Sequence, residues 1–452
     1  MQKDFNITTK YTEELNFTLK TPQDKSLTHR AIIFASLSKG NTIISNYLDS
    51  EDTNITIDFF KNLGVSIFKK SPTILLVESL GYNKFQPSSL DLYFGNSGTS
   101  LRLLLGILTG MDFTFHLSGD DSLSKRSMAG VLDPLQKMGL TVLNNKSKLP
   151  LIVKGTETVT GISYFSNQGS AQIKSSIMLA SLYSKDKIDY TESKLTRDHT
   201  ENFFKLYNLN IKEEYLANGK KISLDDNFNK IIKPQNISIP VDFSSAAFFL
   251  AIPLLVKNSS VTIHNVNLNP LRTGFLDLLK KIGVNFEIKD KTKILNEESG
   301  TIYIDSKSNY YNNFLPIHTD EKITPTLIDE LPLLFALATK IQGKHIFKGI
   351  KELRNKESDR IKSSLINLTK LGFNLVEKED ELIIEGNKNH IPPQTILNSF
   401  QDHRIAMTYI IYGLSCKNPI TIQNCKNINT SFPSFIDILS SNKFINLTME
   451  KI

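Results

Sequence analysis

Apolar positions along this chain recur in two patterns. Six segments are apolar almost all round at helical spacing: LTHRAIIFASLS, TSLRLLLGILTG, SSIMLASLYS, SSAAFFLAIPLLV, LPLLFALATKI and HRIAMTYIIYGLS. A helix without a polar stripe belongs in an interior, so each is expected to be a buried helix. Six further segments begin with a β-like run, pass through a polar loop and end in an amphipathic helix. They are TIISNYLDSEDTNITIDFFKNLGV, FTFHLSGDDSLSKRSMAGVLDPLQKMGL, IDYTESKLTRDHTENFFKLYNLN, VTIHNVNLNPLRTGFLDLLKKIGV, HIFKGIKELRNKESDRIKSSLINLTKLGF and ITIQNCKNINTSFPSFIDILSSNKF. Their helix ends, at Gly64, Gly139, Leu209, Gly283, Gly372 and Lys443, follow one another at about 70 to 90 residues, too long for a solenoid. Gly or Asn at such a stop is the expected C-cap, because a left-handed residue is tolerated there.

These patterns predict an α/β protein of six βαβαββ units in two lobes of three. Residues 21–237 form the first lobe; residues 1–20 with 238–452 form the second, where the initial strand DFNITTKYTEELNFTL pairs. Crossings near residues 20 and 238 are expected to make a hinge, and the cleft between lobes is the default ligand site.

Composition narrows the class. With 452 residues, 40% of them hydrophobic, the chain exceeds one ordinary core. No stretch approaches the roughly 18 apolar residues of a membrane helix, and MQKDFNITTKYTEE lacks the apolar run of a signal peptide. A cytoplasmic protein is expected. Cys416 and Cys425, the two cysteines, fit neither a metal motif nor a disulfide framework, in keeping with a reduced compartment. The net charge of +7 favours anionic partners. Its basic residues are scattered and aromatics are not interleaved with them, so small phosphorylated ligands fit better than nucleic acid.

The candidate chemistry gathers where the buried helices begin. Asp24-Lys25-Ser26 leads into the first, with Arg30 one turn on; backbone N–H groups there favour an anion, although Asp24 or Ser26 also serves as a plain cap. Gly95-Asn96-Ser97-Gly98-Thr99-Ser100-Leu101-Arg102 repeats the theme, and a Cβ at Gly98 would intrude on a bound phosphate or carboxylate. Gly169-Ser170-Ala171-Gln172-Ile173-Lys174 opens the third. Three such starts in three repeats suggest convergence on one anion site. Lys125-Arg126 and Arg197-Asp198-His199 precede outer helices and read equally as surface charge. In the second lobe, Asp329-Glu330, the run Lys351 to Arg360, and Asp402-His403-Arg404 place ionisable groups before helices, as acid–base and anion-binding machinery requires. His403 alone reads better as a locally satisfied side chain.

Taken together, DKSLTHR, FGNSGTSLR, GDDSLSKRSM, GSAQIKSS, TRDHTE, DELP, LRNKESDR, DHRIAM and TSFP resemble, in order, the 5-enolpyruvylshikimate-3-phosphate synthases of the enolpyruvyl transferase family. The resemblance implies a two-lobed inverse α/β barrel of six βαβαββ repeats. It implies transfer of the enolpyruvyl group of phosphoenolpyruvate to the 5-hydroxyl of shikimate 3-phosphate, by a monomer with no metal or organic cofactor. By the same likeness, Lys25, Gly98, Arg126, Gln172, Lys356, Arg360 and Arg404 surround phosphoenolpyruvate, whose anionic groups suit guanidinium forks. Lys25, Ser26, Arg30, Ser170, Gln172, Arg197, Asp329 and Lys356 hold shikimate 3-phosphate. Lys25, Asp329 and Glu357 are the implied catalytic groups, Asp329 taking the hydroxyl proton and Glu357 with Lys356 serving the methylene carbon.

Three positions depart from the family pattern: Gln23 for a usual glycine, Ser127 for a proline after the arginine, and Thr430 for a lysine of some members. The sister transferase acting on UDP-N-acetylglucosamine looks for Asn after its lysine and a loop cysteine; here Ser26 follows Lys25 and GDDSLSKRSM has none. The remaining alternatives are a catalytically impaired member and an RNA-end-binding protein of related fold.

Overall fold

The computed structural model describes residues 4–451 other than 168, 218, 226 and 310–313. The chain divides into two compact units. One comprises Gln23–Ile239 with Lys293–Glu297; the other comprises the chain as far as Pro22, Pro240–Thr292 and the chain from Glu298 onward. The five residues Lys293–Glu297 therefore pack with the first unit, although the sequence expectation kept all of 238–452 together.

In the first unit three sheets share one arrangement. Ile237–Ser238 lies parallel to Lys39–Ser45, which runs antiparallel to Ile74–Leu80, itself antiparallel to Ser66–Ser71. Asp91–Tyr93, Thr114–Ser118, Leu151–Lys154 and Thr141–Val142 repeat this order, as do Ser163–Ser166, Ile188–Glu192, Gly219–Leu224 and Lys212–Leu216. The other unit holds Asn16–Leu19 parallel to Ser260–Asn267, Thr395–Asn398 parallel to Ile420–Gln423, and a three-stranded sheet of Gly343–Lys348, Glu381–Gly386 and Leu375–Glu377. The initial segment is two strands rather than one. Phe5–Thr9 pairs with Ile420–Gln423 and Leu447–Lys451, whereas Asn16–Leu19 joins a different sheet.

The two helix classes behave as their patterns require. Lys25–Leu37, Gly98–Thr109 and Ala171–Ala180 are buried along nearly their whole length and form the middle of the first unit's core. Gly106 permits this packing: a Cβ there would lie 2.2 Å from the Ser176 carbonyl oxygen. The outer helix Glu51–Asn62 has a capping box between Ser50 and Thr53, acids in its first turn and Lys61 in its last, all matched to the helix dipole. It stops at Gly64, φ +89°, and the outer helices ending near Gly139, Gly283 and Gly372 stop on the same left-handed conformation. Asn208 takes that role after His199–Leu206. In GDDSLSKRSM the outer helix is broken: Asp121–Lys125 and Ala129–Lys137 are separate, with Arg126 between them.

Candidate active site

Each unit carries its own cluster of charged groups. In the first, the starts of the three buried helices are tied together by side chains. Asp24, Ser97 and Ser170 cap them, accepting from the N–H groups of Leu27, Ser100 and Ile173. Such ends carry about +0.5 charge each, which disposes this region towards an anion. Lys25 Nζ pairs with Asp52 Oδ2 at 2.8 Å. Arg30, one turn along, donates from Nη2 to Ser175 Oγ at 2.9 Å, from Nε to Thr200 Oγ1 at 2.7 Å and from Nη1 to the Ser26 carbonyl at 3.1 Å. Burial pulls the Arg30 pKa down to about 10, against the attraction of Glu201 and Asp24, so it remains cationic at neutral pH. Arg197 lies in the stretch before His199–Leu206, close enough to Arg30 for their charges to repel.

The glycine-rich loop meets two further arginines. A Cβ on Gly98 would approach Arg126 Nη1 to 3.2 Å and Arg102 Nη1 to 3.3 Å. Arg126 is oriented by Asn96 Oδ1 at 2.5 Å and Ser122 Oγ at 3.2 Å, while its buried Nε has no hydrogen-bond partner. Arg102 donates to Gln172 Oε1 at 2.9 Å, and the Gln172 amide donates to Thr99 Oγ1 at 3.2 Å. Arg102 had no role in the sequence expectation. Its signal was its place four residues after Gly98, on the same helix face.

Behind these groups lies a buried polar chain. His29 Nδ1 is 2.7 Å from Thr56 Oγ1, which is 2.8 Å from Ser100 Oγ. Burial, together with Lys25 and Arg30, holds the His29 pKa well below its ordinary 6.5, so the ring is neutral.

In the second unit the hub is Arg360, 1% exposed at the first position of helix Arg360–Lys370. Its Nε lies 2.9 Å from Asp402 Oδ2 and its Nη1 3.1 Å from Asp329 Oδ1, and Nη2 donates to Glu357. Burial opposes its charge, but Asp402, Glu357 and Asp329 together outweigh that and hold the pKa above its usual value. Asp402 also caps helix His403–Gly413 by accepting the Arg404 N–H at 2.9 Å, and it accepts from Ser358 Oγ at 3.1 Å. Arg404 Nε stands 3.7 Å from Asp329 Oδ1. Glu330, completely buried beside Asp329, is driven towards its protonated form by burial and by that neighbouring carboxylate. Lys356 turns instead to Glu352, at 2.6 Å. Possible ligand atoms of Glu357, Asp402 and His403 lie within 4.8 Å of one another, but Arg360 already engages both carboxylates, a poor setting for a cation.

The sequence pattern of the family described as EPSP synthase (3-phosphoshikimate 1-carboxyvinyltransferase) matches residues 9–439. The 3-phosphoshikimate 1-carboxyvinyltransferase of Endomicrobium trichonymphae is 38% identical over 437 residues, 96% of this chain and 99% of that protein. That of Thermodesulfovibrio yellowstonii is 40% identical over 419 residues, 92% of this chain and 95% of the relative. Among solved structures, EPSP synthase from Acinetobacter baumannii superposes with a TM-score of 0.84 at 33% identity, covering 99% of this chain and 100% of that one. An enolpyruvyl transferase from Streptomyces tendae, at 13% identity and TM-score 0.78 over the full length of both, shares the fold. With arginines, helix starts and carboxylates placed as described, and relatives alike over nearly their whole length, the chain belongs to the EPSP synthase family, enzymes that transfer enolpyruvyl from phosphoenolpyruvate to shikimate 3-phosphate.

Proposed function

We propose the following division of labour for this transfer. In the unit of residues 23–239, Lys25, Ser26, Arg30, Ser170, Gln172 and Arg197 hold shikimate 3-phosphate, and Lys25, Gly98, Arg126 and Gln172 contact phosphoenolpyruvate. In the other unit, Arg360 and Arg404 meet the charges of phosphoenolpyruvate, while Asp329 and Lys356 reach the acceptor. The observation that carries this reading is Arg126, fixed by Asn96 and Ser122 yet keeping a buried Nε donor unused. A half-buried guanidinium with a buried donor in reserve suits a carboxylate or phosphate.

Chemically, a proton is added to the methylene carbon of phosphoenolpyruvate, and the acceptor 5-hydroxyl attacks the carbon bearing phosphate. Asp329 takes the hydroxyl proton; its contact with Arg360 favours the carboxylate a base requires. Glu357 with Lys356 serves the methylene carbon, giving the proton and recovering one as phosphate leaves. Glu357 accepts from Arg360, so its work as an acid calls for desolvation when substrate is bound. No step calls for a metal or organic cofactor, because positioned cations stabilise the anionic groups throughout.

We further propose a cytoplasmic monomer that takes these two small anions and no nucleic acid. Cys416 and Cys425 are both buried free thiols, which fits a reducing compartment. Among the described residues no helix is long and apolar enough to cross a membrane.

The test is phosphate release from phosphoenolpyruvate and shikimate 3-phosphate, wild type beside Lys25→Ala and Arg126→Ala. Loss of release in the first and a raised KM for phosphoenolpyruvate in the second are expected. Near-wild-type kinetics in both overturns the assignment.

A further inference from the structure

Lys174 follows Gln172 by two residues on helix Ala171–Ala180 and is completely buried, yet none of the roles above uses it. Its Nζ lies 3.1 Å from Glu192 Oε1, 2.7 Å from Glu201 Oε1 and 3.4 Å from the Thr196 carbonyl oxygen. Glu192 accepts the Thr196 backbone N–H at 3.2 Å and the Thr196 hydroxyl at 2.6 Å. Donors and acceptor of Thr196 are thus all gripped by one ion pair, and the next residue is Arg197.

The cluster extends further with its charges balanced. Lys220 stands 3.5 Å from Glu201 and pairs with Glu213, which pairs with Lys205. Desolvation costs several kcal/mol per buried ion, and apolar residues of equal volume often fold as well or better, so stability alone is a poor account of such a set. Its flanks offer another account. Ser175 follows Lys174 and Thr200 precedes Glu201; these two hydroxyls lie 2.7 Å apart and together accept from Arg30.

We propose that the buried Lys174–Glu192–Glu201 triad is a positioning device for Arg30 and Arg197, fixing Thr196 on one side and the Ser175–Thr200 pair on the other so that both guanidinium groups meet the acceptor phosphate already aligned. It rests on the reading that Arg30 and Arg197 hold shikimate 3-phosphate. The triad touches no substrate. Because misalignment weakens the phosphate contacts in ground and transition state alike, its loss appears in the KM for shikimate 3-phosphate and not in kcat.

The experiment is steady-state kinetics and thermal unfolding of Lys174→Met, Thr196→Val and the charge-balanced double variant Lys174→Met/Glu192→Gln, with Arg197→Ala as reference. Lys174→Met is expected to raise the KM for shikimate 3-phosphate about tenfold or more, leaving kcat and the KM for phosphoenolpyruvate within about threefold. The double variant is expected to regain thermal stability without regaining that KM, and Thr196→Val to raise the same KM. Should the KM recover together with stability, the triad is merely structural and the proposal falls. If Lys174→Met does not fold, the double variant and Thr196→Val decide. An unchanged KM in Arg197→Ala overturns the site reading itself; a raised KM there, beside wild-type values in Thr196→Val and the double variant, overturns only the positioning role.

Discussion

Arg360 and Asp402, 42 positions apart in sequence, share an enclosed ion pair in the second unit: Nε to Oδ2 is 2.9 Å, with side chains 1% and 0% exposed. Asp402 caps helix His403–Gly413 with its other oxygen, so one carboxylate fixes a guanidinium and the start of a core helix. Asp402→Ala leaves a buried cation short of its partner and removes a cap. A loss of about 3–5 kcal/mol in urea unfolding is expected. A loss below about 1 kcal/mol would show that Asp329 and Glu357 suffice for Arg360.

Gly98 has no room for a methyl group unless a guanidinium moves, since Arg126 and Arg102 stand 3.2 Å and 3.3 Å from the would-be Cβ. Gly98→Ala is expected to raise the KM for phosphoenolpyruvate more than that for shikimate 3-phosphate. Equal effects on the two constants would place Gly98 outside the phosphoenolpyruvate contacts.

Asp329 is the carboxylate shared by Arg360 at 3.1 Å and Arg404 at 3.7 Å. Asp329→Asn keeps the shape and removes the base, so kcat should drop by about 10²–10⁴ while binding of both substrates, read by calorimetry, is largely retained. A raised KM with kcat unchanged would make Asp329 a binding group only.

Stability should depend on pH through His29. Its folded pKa lies well below 6.5, so between those two values the unfolded chain binds the extra proton. The sign follows directly: His29 makes no difference above about pH 6.5, and stability declines as pH falls from there towards the folded pKa. The fall in urea midpoint between pH 7.5 and 5.5 is expected to shrink in His29→Asn, even if that variant is less stable throughout. An undiminished fall would assign the dependence to other groups.

Gly106→Ala tests the closeness of two buried helices. The added methyl would meet the Ser176 carbonyl at 2.2 Å, and backbone cannot yield as a side-chain tip can. Destabilisation of at least about 1–3 kcal/mol is expected from thermal unfolding; a neutral result would mean the helices separate freely.

Much of this architecture was legible in periodicity. A segment apolar all round, such as TSLRLLLGILTG, has nowhere to go but an interior, and its polar start then marks where substrate-sized anions can approach the backbone. The stops at Gly64, Gly139, Gly283 and Gly372 were equally plain, because one left-handed residue is a local requirement. Local signals failed where two alternatives were both local. DFNITTKYTEELNFTL reads as one β-run, yet its halves join different sheets, a matter settled by partners hundreds of residues away. Lys351 to Arg360 reads as a charged run before a helix without showing where that helix starts; a short 3₁₀ turn ends at Asn355 and the helix begins at Arg360 under its Asp359 cap.

The sequence by itself determined which residue types stand at each helix start, because caps, dipoles and glycine turns act within a few residues. Only the tertiary structure decided who meets whom. Arg30 finds Thr200 and Ser175, 170 and 145 positions away; Arg102 finds Gln172; Asp402, readable in sequence as an ionisable group before a helix, becomes the anchor of Arg360. These pairings follow from how buried helices pack, and within a core a charge takes whichever partner packing brings within reach, since leaving it unpaired costs several kcal/mol.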